Sequence, residues 1–110
     1  MLFRSFNQVI LHTTVGSEVD AQTLAQRAIE KRLAACVHID PIRSVYRWQG
    51  QVQQDFEWRL AFKTTAQRLP ELVQDLKAIH PYDLPAFYTV PAAPQTPEWG
   101  QWVEGESSKI

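Results

Sequence analysis

The chain has 110 residues, enough for one two-layer core and too few for two independent ones, so 1–110 reads as a single domain with 1–7 and 104–110 as frayed termini. Acidic and basic residues nearly cancel, for a net charge of -1 without a basic run, which excludes the electrostatic footprint of a protein whose main partner is nucleic acid. No apolar run approaches the ~20 residues of a membrane helix, Met1 to Ser5 lacks a signal-peptide layout, and Cys36, the single cysteine, rules out an intrachain disulfide and a multi-cysteine zinc site; the composition fits a soluble, cytoplasmic protein.

Gln8 to Val15 is rich in β-branched residues and reads as a first strand closed by Gly16. Ser17-Glu18-Val19-Asp20 resembles a capping box, and Ala21, Leu24, Ala25, Ala28, Ile29 and Leu33 follow at helical spacing. Ala35 to Trp48 is a β-type run interrupted at Asp40-Pro41, and Gln51 to Thr64 is a second one. Gln49-Gly50 between them suits a tight hairpin turn. In the second arm Val52, Gln54, Phe56, Trp58, Leu60 and Phe62 point one way, and Gln53, Asp55, Glu57, Arg59, Ala61 and Lys63 the other. Leu69, Leu72, Val73, Leu76 and Ile79 mark a second helix, with Pro70 tolerable in its first turn. Pro81 biases His80 away from helical geometry and so ends that helix there; Pro85 sets Leu84 in an extended turn. Ala86 to Val90 reads as a short strand, and Thr96-Pro97-Glu98 as the start of a short third helix carrying Trp99, Trp102 and Val103.

The order β-α-β-β-α-β with a trailing helix predicts an α+β, ferredoxin-like split βαβ fold with the helices on one face of an antiparallel sheet. The hairpin is long. A strand of about fourteen residues extends roughly 45 Å at ~3.3 Å per residue, whereas a domain of this size has a radius of gyration near ~13 Å. The hairpin must therefore bend at Pro41, overhang the domain, or do both. An overhang with open edges and aromatic residues calls for a partner, and a second copy of the same chain supplies one.

Four segments, Arg32-Leu33-Ala34-Ala35-Cys36-Val37, Ser44-Val45-Tyr46-Arg47-Trp48-Gln49-Gly50, Glu57 through Thr64, and His80-Pro81-Tyr82-Asp83-Leu84-Pro85, together resemble the CutA divalent-cation tolerance family in order and spacing. The resemblance covers Gln8 to about Val103. It implies a homotrimer of ferredoxin-like subunits, similar in architecture to PII signalling proteins, with long hairpins building intersubunit sheets. It also implies tolerance of copper and other divalent metal ions, and no assigned reaction.

Carried over by position, the copper ligands implied by the resemblance fall on His12, Ile79 and His80. Ile79 cannot coordinate, and Ala86 stands where many relatives have a glutamate, which leaves His12 and His80 as the expected Cu2+ ligands. Each also has a plain structural reading: His12 as an ordinary strand residue, His80 as a helix C-terminal residue interacting with the helix dipole. Cys36 is a weaker candidate because a free cysteine commonly serves as a small buried apolar residue. His38, two residues on, shares its face if both lie in one strand.

Glu57, Arg59 and Lys63 fall on one strand face, and in an assembled trimer Tyr46, Arg47, Trp48 and Tyr82 could gather around it. That group suits a small anionic ligand in an intersubunit cleft, as in a PII-like regulatory trimer, or a network fixing strand register. No enzyme is expected: the glycines at 16, 50, 100 and 105 form no phosphate-binding loop, and no nucleophile signature occurs.

Overall fold

A computed structural model describes residues 7–109; the expected fraying of 1–6 and of 110 lies outside the described residues. The elements are β1 (Gln8–Val15), α1 (Glu18–Glu30), β2 (Cys36–Trp48), β3 (Gln51–Thr65), α2 (Leu69–Ile79), β4 (Tyr88–Ala92) and α3 (Pro97–Glu106). The sheet has the order β2-β3-β1-β4 with every neighbouring pair antiparallel, as a split βαβ fold requires.

One face of the sheet is covered and the other is open. Leu11 and Val15 of β1 and Leu60 and Phe62 of β3 point into a core with Ala21, Leu24 and Ala28 of α1 and Leu72 and Leu76 of α2. Strand alternation then puts Ile10, His12 and Thr14, and Arg59, Ala61 and Lys63, on the open face.

The ends of α1 follow from local chemistry. Ser17 Oγ accepts from the Asp20 amide at 3.1 Å, which satisfies one of the first-turn donors. At the other end Leu33 N donates to Ala28 O at 2.9 Å and Arg32 N to Ile29 O at 3.0 Å, the paired bonds of a Schellman turn. Leu33 therefore lies beyond the helix rather than within it, although it is buried as its spacing predicts. Arg32 occupies the left-handed position, φ 57°, that glycine usually takes.

The Arg32 guanidinium donates to Gly105 O at 2.6 Å and Ser108 O at 2.8 Å, tying the carboxyl end of α3 to the turn after α1. This contact corrects the expectation of a frayed tail from 104. The helix continues through Glu106, and Ser107 is fully buried with its hydroxyl donating to Val103 O at 2.6 Å. Of the three residues that the sequence places on this helix, Val103 is buried. Trp99 and Trp102 stack on one another at 4.9 Å but remain 42% and 43% exposed.

β2 is not broken at Pro41, which pairs with Trp58 inside a continuous strand. An edge strand tolerates proline because its outer side has no ladder to lose, and β2 is the sheet edge. Gln49 and Gly50 both have positive φ, 51° and 79°, as a two-residue hairpin turn needs. β1 ends opposite Trp58, so the hairpin from Ile42 to Glu57 extends past the rest of the sheet. The molecule measures 47 × 31 × 21 Å, and its radius of gyration of 15.0 Å exceeds the compact expectation because of that arm. The last strand begins two residues later than its composition predicts, at Tyr88, and Phe87 just before it packs against the core.

Candidate functional site

The open face carries a basin floored by Ala61. His12 on β1 and His38 on β2 both pair with Ala61, from opposite sides, so the two imidazoles flank a methyl group roughly 10 Å apart in backbone terms, two strand spacings. Arg59 and Lys63 precede and follow Ala61 on the same face of β3, each a diagonal neighbour of His12 at roughly 7–8 Å. Tyr88 of β4 stacks on the His12 ring at 5.0 Å and 16°. Cys36 pairs with Lys63 and shares this face with His38, as their spacing predicts.

Several of these groups are already partnered. Arg59 Nη2 donates to Asp40 Oδ2 at 3.1 Å across the β2–β3 ladder, and Lys63 Nζ lies 3.3 Å from His38 Nδ1. An ammonium only donates, so in this contact Lys63 is the donor and His38 Nδ1 the acceptor. His12 differs. Its Nδ1 is buried without a hydrogen-bond partner among the described residues. Burial and then Arg59 lower its pKa, with Lys63 adding to the effect and Asp40 opposing it, so the imidazole is held neutral.

His80 lies on the other side of the sheet. Its Nε2 is 3.0 Å from Thr13 Oγ1, and the Thr13 side chain points into the core layer, opposite to that of His12. Its Nδ1 accepts from the Tyr82 amide at 3.1 Å, so the neutral ring carries its proton on Nε2 and donates it to Thr13. Phe87 packs edge-on to the ring at 5.5 Å. Burial lowers the His80 pKa, which suits this fully committed neutral tautomer. Within one subunit His12 and His80 therefore do not converge, and His80 has no spare lone pair for a metal. Among the described residues no three His, Cys, Asp or Glu side chains assemble as a metal cluster.

The expected cleft residues divide into three places. Arg59 and Lys63 belong to the basin. Glu57 lies just beyond β1, where Tyr82 reaches past Gly16 to donate to its Oε2 at 2.7 Å and Ser44 donates to its Oε1 at 2.6 Å. Desolvation, followed by the bond to Glu57, raises the Tyr82 pKa. Tyr46, Arg47 and Trp48 stand at the hairpin tip, where Tyr46 bonds Asp55 and Arg47 reaches Gly50 O at 3.4 Å. Tyr46 pairs with Gln53, ten residues from Lys63 along β3 and roughly 33 Å away, so one chain cannot unite tip and basin.

Thr13, Asp40, Ala61 and Tyr88 complete these sites without having been singled out by the sequence. Alternation exposes each face, but only the register across three strands shows that Ala61 lies between two histidines.

The profile of the CutA1 divalent ion tolerance protein family matches residues 9–106. The divalent-cation tolerance protein CutA of Thermus thermophilus is 45% identical over 91 residues, 82% of this chain and 88% of that one. Its namesake from Thermotoga maritima is 36% identical over 95 residues, 86% of this chain and 94% of that one. The solved structure of CutA from Synechococcus elongatus superposes with a TM-score of 0.91 at 40% identity, covering 96% of this chain and 95% of that one.

Proposed function

The chain belongs to the CutA1 divalent ion tolerance protein family, and on that premise we propose that it is a homotrimer that binds divalent cations reversibly, Cu2+ among them, and contributes to metal tolerance. The observation that carries this reading is the buried, unpartnered Nδ1 of His12 on the open face. A neutral imidazole is a competent ligand for a borderline dication, and here one of its nitrogens lacks any intrasubunit bond. His80, with both ring nitrogens committed on the opposite face, is a structural residue in this reading. The protein acts as a binder rather than an enzyme, and its unpaired cysteine suits the cytoplasm.

Trimer formation is supported by two open sheet edges and by the overhanging arm, on which Val45, Val52 and Phe56 are 66%, 63% and 78% exposed. Calorimetric titration with Cu2+ tests the cation reading. His12→Ala abolishes the binding heat and His80→Ala preserves it; unchanged affinity in His12→Ala removes His12 from the site.

Arg59 and Lys63 favour a second reading, a PII-like regulatory trimer that takes a small anionic ligand in its intersubunit clefts. A thermal-shift screen of nucleotides and small carboxylates separates the two, since a ligand selective for the folded state raises its apparent stability.

A further inference from the structure

We propose that the overhanging hairpin arm docks on α3 of a second copy of this chain, its basic and apolar face of Arg43, Val45, Arg47, Val52 and Phe56 lying against a stripe of Glu98, Trp99, Trp102 and Glu106. The inference rests on the homotrimer reading and names two surfaces that meet in that assembly.

Register builds the arm face. Alternation from Leu60 and Phe62 puts Phe56 and Val52 on the helix-covered side of the sheet, and Arg43 and Arg47 lie directly opposite them on β2, with Val45 between. The overhang carries this face past the subunit's own helices, and Phe56 is left 78% exposed. Its only charges are the two guanidinium groups. Arg43 sits 5.7 Å from the Phe56 ring, and the Arg47 bond is a long one, 3.4 Å to Gly50 O.

The chemical counterpart is α3. Its charged side chains are Glu98, Glu104 and Glu106, with no lysine or arginine among residues 97–106. At ~100° per residue, Glu98, Trp99, Trp102 and Glu106 fall along one flank of the helix, beside the inward-facing Val103. The two stacked indoles are exposed, and Glu106 approaches Arg32 only at 3.9 Å. Lengths also agree. Glu98 to Glu106 spans roughly 12 Å at ~1.5 Å per residue of helix, and Arg43 to Arg47 roughly 13 Å at ~3.3 Å per residue of strand. Two cations can therefore meet two carboxylates while the tryptophans cover the valines and Phe56. Tryptophan and arginine are the side chains that most often anchor interfaces, and complementary charge fixes their orientation.

The contact has to join two copies. In one subunit α3 packs at the Gln8 end of β1, where Gln8 Nε2 donates to Gly100 O at 2.8 Å, whereas the arm leaves the sheet beyond Val15. Seven residues of strand, roughly 23 Å at ~3.3 Å per residue, separate those ends. Because the arm and α3 are different surfaces, each copy gives one and receives the other, an arrangement that closes into a ring such as the proposed trimer.

Reciprocal charge reversal, followed by sedimentation velocity from nanomolar to micromolar concentration, provides the test. Arg43→Glu with Arg47→Glu, and separately Glu98→Lys with Glu106→Lys, should each raise the concentration at half-assembly at least tenfold. All four substitutions in one chain should bring it back to within about threefold of wild type, a recovery that simple misfolding of either variant would not show. A fourfold variant no better assembled than the two pairs, or two pairs that assemble like wild type, overturns the docking while leaving the trimer intact. A wild-type monomer at micromolar concentration removes the trimer reading and this inference with it.

Discussion

Thr13 Oγ1 and His80 Nε2 lie 3.0 Å apart, a bond that ties the end of α2 to the helix-covered side of β1. Because successive strand side chains point to opposite faces, the same bond puts His80 on the side of the sheet away from His12. His80 is the last residue before Pro81, extended at ψ 134°, and its ring anchors the 81–87 segment by accepting from the Tyr82 amide. His80→Ala removes both bonds and part of the packing on Phe87. We expect it to cost about 2–3 kcal/mol in urea unfolding, in the range for losing two hydrogen bonds and some buried ring, with Cu2+ affinity unchanged. A large loss of affinity with normal stability contradicts the geometry.

The same ring predicts an acid-side loss of stability. Burial lowers the His80 pKa, and His12 shifts in the same direction, so the unfolded chain binds protons more readily than the folded one between the ordinary histidine pKa, about 6.5, and the folded values. The stabilisation is complete above about pH 6.5 and declines as the pH falls through that window. Urea midpoints at pH 7.5 and 5.5 measure it. His80→Gln should reduce the difference without abolishing it, because His12 retains its own contribution.

Much of this architecture was legible because its signals are local. The β-branched run to Gly16, the Ser17 cap, the Gln49-Gly50 turn and the Pro81 stop each act within a few residues, and each appears where the chemistry requires. The β3 alternation was legible for the same reason. The side of β1 approached by His80 depends on the path of α2 across the sheet, and the Ala61 basin depends on register across three strands, so neither is encoded in any one segment. Arg32 illustrates the remaining limit. Its backbone conformation resembles that of a glycine cap, and its reason for being arginine lies more than seventy residues away, at Gly105 and Ser108.

Tyr82 and Glu57 form a strap between the 81–87 segment and the base of the overhanging hairpin. Tyr82→Phe leaves Glu57 with Ser44 as its remaining hydroxyl donor and should destabilise the fold by about 1.5–3 kcal/mol, as expected for a hydrogen bond to a carboxylate. A double-mutant cycle with Glu57→Gln isolates the coupling. Since the Tyr82 pKa is raised, the strap's contribution is full below the ordinary tyrosine pKa of about 10 and is lost as the pH rises beyond it. Ultraviolet titration of wild type against Tyr82→Phe should show that the missing phenol is one that ionises late.

Arg32 combines a strained backbone with a useful side chain, and two substitutions separate these effects. Arg32→Ala and Arg32→Gly both release the guanidinium from Gly105 and Ser108, while only glycine relieves the left-handed conformation. The alanine variant should therefore be less stable than the glycine variant by about 1 kcal/mol, and both should lose amide-exchange protection at Ser107 and Ser108. Equal stabilities would mean that φ 57° carries no strain at this position.

The hairpin arm makes the oligomeric state a prediction with its own variant. Phe56 is 78% exposed in the single subunit, with the Arg43 guanidinium 5.7 Å from its ring, on the face that also carries Val45 and Val52. A monomer would leave this apolar surface and two sheet edges in water, whereas trimer contacts can cover them. Light scattering of the wild type at micromolar concentration should give three times the subunit mass of 12.7 kDa. Phe56→Asp buries a charge in any interface that uses this face, so it should shift the population toward monomer while leaving the helix-covered core folded, because Phe56 is not part of that core. A wild-type monomer would contradict the trimer, and a trimer unaffected by Phe56→Asp would restrict the interface to the sheet edges.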